Sequence, residues 1–248
     1  MRSWDFRRVT WLTVANEQLY GERLNDPTEQ DMQSSLPPSL NSHAAMFLAK
    51  SRARSFRARS LILEPGGNTA SAFLLVKGSA QLEMESDGKV LILSLLKPGD
   101  LFGELPFPAD VDGHQLSVYA RSECQVASMP ASQFKSMVME KPEMLMDVCS
   151  QLYDRLSSVT RKVGDFAFLD IPSRIVSVIQ DLVHASFAVK TNEGTLLPVT
   201  RQDLGRLAGC SRETAGRVLK MLEEEGLVSC SGRNITVLNT KARVAEIS

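Results

Sequence analysis

Seven apolar residues, Leu145, Cys149, Leu152, Leu156, Val159, Val163 and Phe166, follow one another at spacings of 4, 3, 4, 3, 4 and 3. A 3.5-residue repeat sustained in this way is the seam of a helix lying against another helix, because it keeps one narrow stripe turned toward a partner. At about 1.5 Å per residue, residues 143–166 would form a rod roughly 36 Å long. The partner could be the chain's own neighbouring domain or a second copy. Packing on a curved sheet does not require a 3.5 period, so the repeat predicts a parallel homodimer.

On the N-terminal side of this rod the hydrophobic pattern is quite different. From about residue 56 to 129, short apolar runs alternate with turn residues: Leu61-Ile62-Leu63 before Pro65-Gly66-Gly67-Asn68, and Ala72–Val76 before Lys77-Gly78. Residues 81–85 then alternate polar and apolar, Asp87-Gly88 supplies a hairpin turn, and a run from Val90 to Leu96 ends in Pro98-Gly99-Asp100. Short strands with this punctuation predict an antiparallel β sandwich or barrel. Residues 1–42 differ from the rest, with polar and turn-forming residues dominating from Asn25 to Ser42, including Pro27 and Pro37-Pro38, and read as a poorly ordered or loosely attached arm. Met32 lies inside it, so a shorter product starting there stays open.

Composition matters here for what it excludes. The chain has 248 residues, 43% hydrophobic and 23% charged, enough for ordinary cores and too apolar for a disordered chain. Cys124, Cys149, Cys210 and Cys230 are scattered, without a CxxC pair or a histidine at ligand spacing, so no metal site and no disulfide framework is expected. His43, His114 and His184 are isolated. The longest apolar run is far short of the roughly 20 residues that cross a bilayer, so no membrane is expected. Arg7-Arg8 and the apolar residues after it imitate a secretory leader, but Thr10 and Thr13 interrupt the run and Asn16-Glu17-Gln18 stands where small residues belong. The expected location is the cytoplasm.

C-terminal to the rod, Ile175, Val178, Ile179 and Leu182 mark one face of a helix over residues 173–187, followed by turn residues Asn192-Glu193-Gly194. Two short helices come next, over 202–208 and 212–225, joined by Gly209-Cys210-Ser211, and then a hairpin over 228–238. Thr200 with Asp203 and Ser211 with Thr214 read as N-caps with their first-turn partners. Leu204, Leu207, Ala208, Val218, Leu219 and Leu222 can form a shared core, with Gly209 allowing the tight turn. This is a helix–turn–helix with a wing. Residues 201–220 carry a net charge of +3 within a chain of net −1. Arg201, Gln202, Ser211, Arg212, Glu213, Arg217 and Lys220 are the candidate DNA-contacting residues. An arginine donates in bidentate fashion to guanine, a glutamate accepts from a cytosine amine, and the first turn of a recognition helix reaches the base edges.

Two stretches carry a resemblance. They are Lys162-Val163-Gly164-Asp165-Phe166-Ala167-Phe168-Leu169-Asp170-Ile171-Pro172-Ser173-Arg174-Ile175 and Gly209-Cys210-Ser211-Arg212-Glu213-Thr214-Ala215-Gly216-Arg217-Val218-Leu219-Lys220-Met221-Leu222-Glu223. Over roughly residues 45–240 the chain resembles the bacterial family typified by the cyclic-AMP receptor protein, which includes the fumarate–nitrate regulator. The resemblance implies an α+β chain: an N-terminal antiparallel β-roll of the cyclic-nucleotide-binding kind (43–141), a dimerisation helix (142–169) and a C-terminal winged helix–turn–helix (170–248). It also implies double-stranded DNA as partner, with pseudo-palindromic TGTGA-like half-sites read by Arg212, Glu213 and Arg217, and RNA polymerase as a further partner.

For the effector, the resemblance places Phe102-Gly103-Glu104-Leu105 at the start of the family's phosphate-binding cassette, with Gly103 and Glu104 at the cyclic phosphate and the ribose. Arg155 and Thr160 match residues of the long helix near the nucleotide, while Val159 replaces a hydroxyl residue. The chain departs from the family where an arginine and a serine or threonine should hold the phosphate, since His114 and Gln115 stand there. A mostly neutral imidazole gives up the charge-assisted bonds of a guanidinium. Three readings follow: weakened cyclic-AMP binding, a different ligand such as a cyclic dinucleotide, or a vestigial pocket. The absence of cysteine before Cys124 argues against an iron–sulfur sensor. Two other classes compete: a signalling subunit, which has no need of a basic recognition helix, and an enzyme, for which the sequence offers no Walker loop, nucleophile elbow or dinucleotide fingerprint.

Overall fold

The computed structural model describes residues 38–64, 71–103 and 116–239. These fall into two units, one ending at Asp170 and the other starting at Ile171.

The first unit opens with helix α1 (Pro38–Ala49). Eight strands follow: β1 (Arg52–Phe56), β2 (Leu61–Leu63), β3 (Ser71–Lys77), β4 (Ala80–Ser86), β5 (Lys89–Leu96), β6 (Leu101–Gly103), β7 (Ser117–Ala120) and β8 (Cys124–Pro130). They form two four-stranded sheets of order β1-β8-β3-β6 and β2-β7-β4-β5, with antiparallel pairing throughout. Asp87 and Gly88, both with positive φ, close the tight β4–β5 hairpin as their sequence predicts. Because successive strand residues point to opposite faces, the first sheet feeds two core layers. Leu75, Phe102, Val126 and Cys124 meet Leu63, Ala80, Leu96 and Val118 between the sheets. Leu74, Leu101, Ala127 and Met129 face outward instead.

That outer layer is closed by helices. Phe47 of α1 and Phe134 of α2 (Ala131–Glu140) meet edge to face with centroids 5.7 Å apart. Met144 and Val148 of the long helix α3 (Glu143–Phe168) complete it. Half-buried His43 on α1 hydrogen-bonds Asp147 on α3, tying the first helix to the long one. Helix α1 begins at Pro38, inside the segment read above as a loosely attached arm, and so corrects that reading for 38–42. It is held by tertiary burial of Ala44 and Phe47, which a polar local composition does not reveal. The remainder of the arm, 1–37, lies outside the described residues.

The second unit contains α4 (Ile171–Val183), β9 (Val189–Lys190), β10 (Gly194–Leu197), α5 (Arg201–Ala208), α6 (Arg212–Glu224), β11 (Val228–Ser231) and β12 (Asn234–Leu238). Helix α4 stops at Val183 and so is shorter than the 173–187 expectation, although it starts two residues earlier. The turn expected at Asn192–Gly194 belongs to a strand pair, and β9 and β10 extend the terminal hairpin into a sheet of order β11-β12-β10-β9. Ile175, Ile179 and Leu182 of α4 are buried, as are Leu204, Leu207, Ala208, Val218, Leu219 and Leu222 of α5 and α6. The candidate core of the helix–turn–helix is therefore the core observed.

Candidate functional site

The two helices of the C-terminal unit owe their ends to local chemistry. Thr200 caps α5 through a reciprocal capping box: its Oγ1 accepts from the Asp203 N–H at 3.1 Å, and Asp203 Oδ2 accepts from the Thr200 N–H at 3.0 Å. The helix ends at Gly209, which is left-handed at φ 65°. Ser211 Oγ then accepts from the Thr214 N–H at 3.1 Å and opens α6. A residue the sequence reading overlooked is Gly205. A Cβ there would lie 2.8 Å from the Cys210 carbonyl oxygen, so the turn between the helices can pass this closely only over a glycine.

With Ala215, Val218, Leu219 and Leu222 turned inward, α6 leaves Arg212, Glu213, Arg217 and Lys220 exposed, next to exposed Arg201, Gln202 and Ser211. Arg217 Nη2 donates to the Thr214 hydroxyl at 3.3 Å, and Lys220 pairs with Glu224 at 3.7 Å across one helical turn. The Glu213 carboxyl is held below its ordinary value, first by its own backbone N–H and then by the Ser211 hydroxyl, with smaller help from Arg212 and Arg217. It therefore stays an acceptor-only group at neutral pH. Cys210, in the turn between the two helices, and Cys230, on β11, are half-buried and both pushed up by burial.

In the first unit, the sequence-expected effector residues split. Glu104, Leu105, His114 and Gln115 lie outside the described residues. Gly103 ends β6 at φ +88°, where an added Cβ would meet the Phe73 ring at 2.5 Å and the Ser71 carbonyl oxygen at 2.8 Å. Phe73 and Phe102 stack behind it with centroids 5.3 Å apart. Only glycine fits this corner. Arg155 on α3 is half-buried, and its Nη2 is shielded from solvent with no hydrogen-bond acceptor among the described residues. Burial pulls its guanidinium below the ordinary value, opposed by the nearby Asp100 carboxylate. Burial pushes Asp100 the other way, above its ordinary value, against a backbone bond from Lys97 and the charge of Arg155. A shielded guanidinium nitrogen without an acceptor and a backbone corner stripped of side chain suit an anionic group. Thr160 is exposed on α3 and Val159 is half-buried. Asp100 went unnoticed in the sequence because it reads as an ordinary turn aspartate.

The heptad positions form the third element. On the single chain Leu152 is 39% exposed, Leu156 65% and Val163 62%, and Cys149 is exposed too, while Leu145, Val159 and Phe166 are half-buried. No helix of the described residues is long and apolar enough to cross a membrane.

Comparison with known proteins accounts for both units. Residues 53–141 match the family described as cyclic nucleotide-binding domain, and residues 173–242 match the Crp-like helix-turn-helix domain. The cAMP-activated global transcriptional regulator Vfr of Pseudomonas aeruginosa is 38% identical over 203 residues, spanning 80% of this chain and 95% of the relative. The cAMP-activated global transcriptional regulator CRP of Pasteurella multocida is 34% identical over 205 residues, spanning 82% of this chain and 98% of the relative. Among solved structures, the c-di-GMP responsive global regulator CLP of Xanthomonas campestris superposes with a TM-score of 0.74 at 32% identity, covering 81% of this chain and all of that one. A CooA mutant from Carboxydothermus hydrogenoformans, at 17% identity and a TM-score of 0.67, shares the fold. The chain belongs to the cyclic-AMP receptor protein and fumarate–nitrate regulator family of transcription regulators, with a cyclic nucleotide-binding domain followed by a Crp-like helix–turn–helix.

Proposed function

We propose that this regulator works in the cytoplasm as a homodimer, joined along α3, that reads a pseudo-palindromic site with TGTGA-like half-sites. The observation that carries this reading is the first turn of α6. Arg212 and Glu213 stand exposed there, one turn ahead of Arg217, on a helix whose opposite face is locked into the core. Arg212 and Arg217 supply forks for guanine edges and Glu213 an acceptor for a cytosine amine. Arg201, Gln202, Ser211 and Lys220 surround them as contacts to phosphate, which fix register without reading sequence. RNA polymerase is the further partner.

The ligand class favoured for the first unit is a cyclic nucleotide. Gly103 and Arg155 support it, as do the cAMP-activated regulators Vfr and CRP and the c-di-GMP responsive regulator CLP among the similar proteins. Glu104, Leu105 and Thr160 complete the site on family grounds. His114 and Gln115 weaken it for cyclic AMP and leave a cyclic dinucleotide as the competing ligand.

Fluorescence anisotropy on a TGTGA palindrome, with and without cyclic AMP and separately with cyclic di-GMP, tests the whole reading. Arg212→Ala is expected to lose about 1–3 kcal/mol of discrimination at one guanine per half-site. Lys220→Ala is expected to weaken all sequences alike and flatten the salt dependence. Equal loss on specific and random DNA for Arg212→Ala would refute the groove assignment.

A further inference from the structure

The long helix α3 carries a second stripe beside its open apolar seam. Met144, Val148, Gln151, Arg155 and Lys162 share it, at spacings of 4, 3, 4 and 7. The first two are buried in the outer core layer. The polar members reach toward one continuous stretch of the β-roll. Lys162 Nζ donates to the Ile92 carbonyl of β5 at 2.6 Å, and Arg155 lies in the field of Asp100. Gln151 spans the turn between β5 and β6. Its Nε2 donates to the Gly99 carbonyl at 3.0 Å, and its Oε1 accepts from the Leu101 N–H at 2.9 Å.

That turn has little slack. The Gly99 N–H donates to the Leu75 carbonyl, the Leu75 N–H donates to the Asp100 carbonyl, and the Lys97 N–H donates to the Asp100 carboxylate. Strand β6 then runs in register with β3, Leu101 opposite Leu74 and Gly103 opposite Ala72. The Gln151 amide therefore holds the first residue of a three-residue paired strand whose last residue is the backbone corner at Gly103. A primary amide donates and accepts from one planar group, so it can hold a carbonyl and an N–H of the same turn at once. Leu101 is buried, so water cannot readily replace that acceptor.

We infer that Gln151 is a positioning residue for the effector response: it fastens the strand that delivers Gly103 to the helix that carries the dimer seam. A ligand seated against Gly103 then acts on α3 through backbone hydrogen bonds, while Gln151 itself touches neither ligand nor DNA. The inference rests on the effector reading proposed above.

The test uses full-length protein and two readouts. One is the ratio of DNA affinities with and without saturating cyclic AMP, and with and without cyclic di-GMP. The other is hydrogen exchange of the Leu101 amide in the free protein. In Gln151→Leu the ratio is expected to fall to within twofold of one, and exchange at Leu101 to rise at least tenfold. Val148→Ala, which loosens the same helix without touching the turn, is expected to keep the ratio. Gln151→Glu keeps the acceptor for Leu101 but sets an oxygen against the Gly99 carbonyl. It is expected to lower the ratio at least threefold, and it stands in if the leucine variant fails to fold. A responsive parent protein whose Gln151 variants stay equally responsive would overturn the inference alone, as would an equal loss in Val148→Ala or unchanged exchange at Leu101 in Gln151→Leu. A parent ratio within twofold of one for both nucleotides would overturn the effector reading and this inference with it.

Discussion

Replacing Leu156 with aspartate separates the two functions a long helix can serve. In the single chain Leu156 is 65% exposed, whereas Val148, two turns earlier on the other stripe, is 2% exposed. Fully burying a leucine stabilises by about 1.5–3 kcal/mol, so the two-thirds still open leaves ~1–2 kcal/mol per copy for a partner to collect. In a symmetric seam both copies change together, and the apolar loss alone reaches ~2–4 kcal/mol per dimer. At 1.4 kcal/mol per decade the dimer dissociation constant should rise at least about 30-fold. Two carboxylates brought face to face in a dry seam raise it further. Because the side chain is exposed in the isolated chain, the monomer should keep its fold. Sedimentation velocity across a concentration series reads the dissociation constant, and circular dichroism confirms that the monomer is folded. Val148→Asp, as a contrast, should unfold the first unit. An unchanged dimer in Leu156→Asp would refute the seam assignment, since no exposed leucine at the centre of such an interface could be exchanged for a charge without effect.

Further expectations follow from the two units. Asp100 holds its proton more tightly in the folded chain than at its ordinary value of 3.8, so its burial lowers stability once pH rises through the folded pKa and is relieved in acid. Relative to Asp100→Asn, the unaltered protein should therefore be more stable at pH 4 than at pH 7 in urea titrations; the opposite sign would mean that Arg155 outweighs burial. For the effector, His114→Arg combined with Gln115→Ser should tighten cyclic AMP binding at least about tenfold by calorimetry, since hydrogen bonds to charged groups contribute roughly 1.5–3 kcal/mol each. In the unaltered protein the same binding should tighten from pH 8 to pH 6 as His114 gains charge. Tight, pH-independent binding would contradict that placement of His114.

What the sequence displays openly is what short-range chemistry decides. The helix–turn–helix is legible because each of its parts is a local rule: a Thr–Asp capping box, a glycine at a left-handed C-cap, a serine cap, and inward residues at helical spacing. The long helix is legible because a 3.5 period needs no knowledge of the partner, and part of its apolar stripe stands open on the single chain. Elements settled by distant contacts are much harder to read. Strand β1 is an exposed edge rich in arginine, with no alternation to betray it, and pairs with β8 some seventy residues away. Helix α2 buries only Phe134 and Met137, and α1 is recognisable as a helix chiefly once Phe47 has met Phe134. Gln151 was missed for the same reason: a glutamine between a leucine seam and a charged face reads as a solvated residue until the Gly99 turn is beside it.

These two kinds of information meet on α3, and that explains why one helix can serve as both joint and lever. Its apolar seam is set by period alone and could pair with any similar stripe. Its polar stripe is committed to particular backbone atoms of the β5–β6 turn. Apolar packing already joins strand β6 to α3, since Leu101 shares the outer layer with Met144 and Val148, while Phe102 stacks between the sheets. The directional contacts are the Gln151 amide and the Lys162 ammonium, aimed at different points of residues 92–101, with Arg155 in the field of Asp100 beside them. Hydrogen bonds of defined geometry transmit a displacement, whereas a greasy contact can slide. Under the proposed reading, a ligand seated against Gly103 acts on the seam through that stiffness.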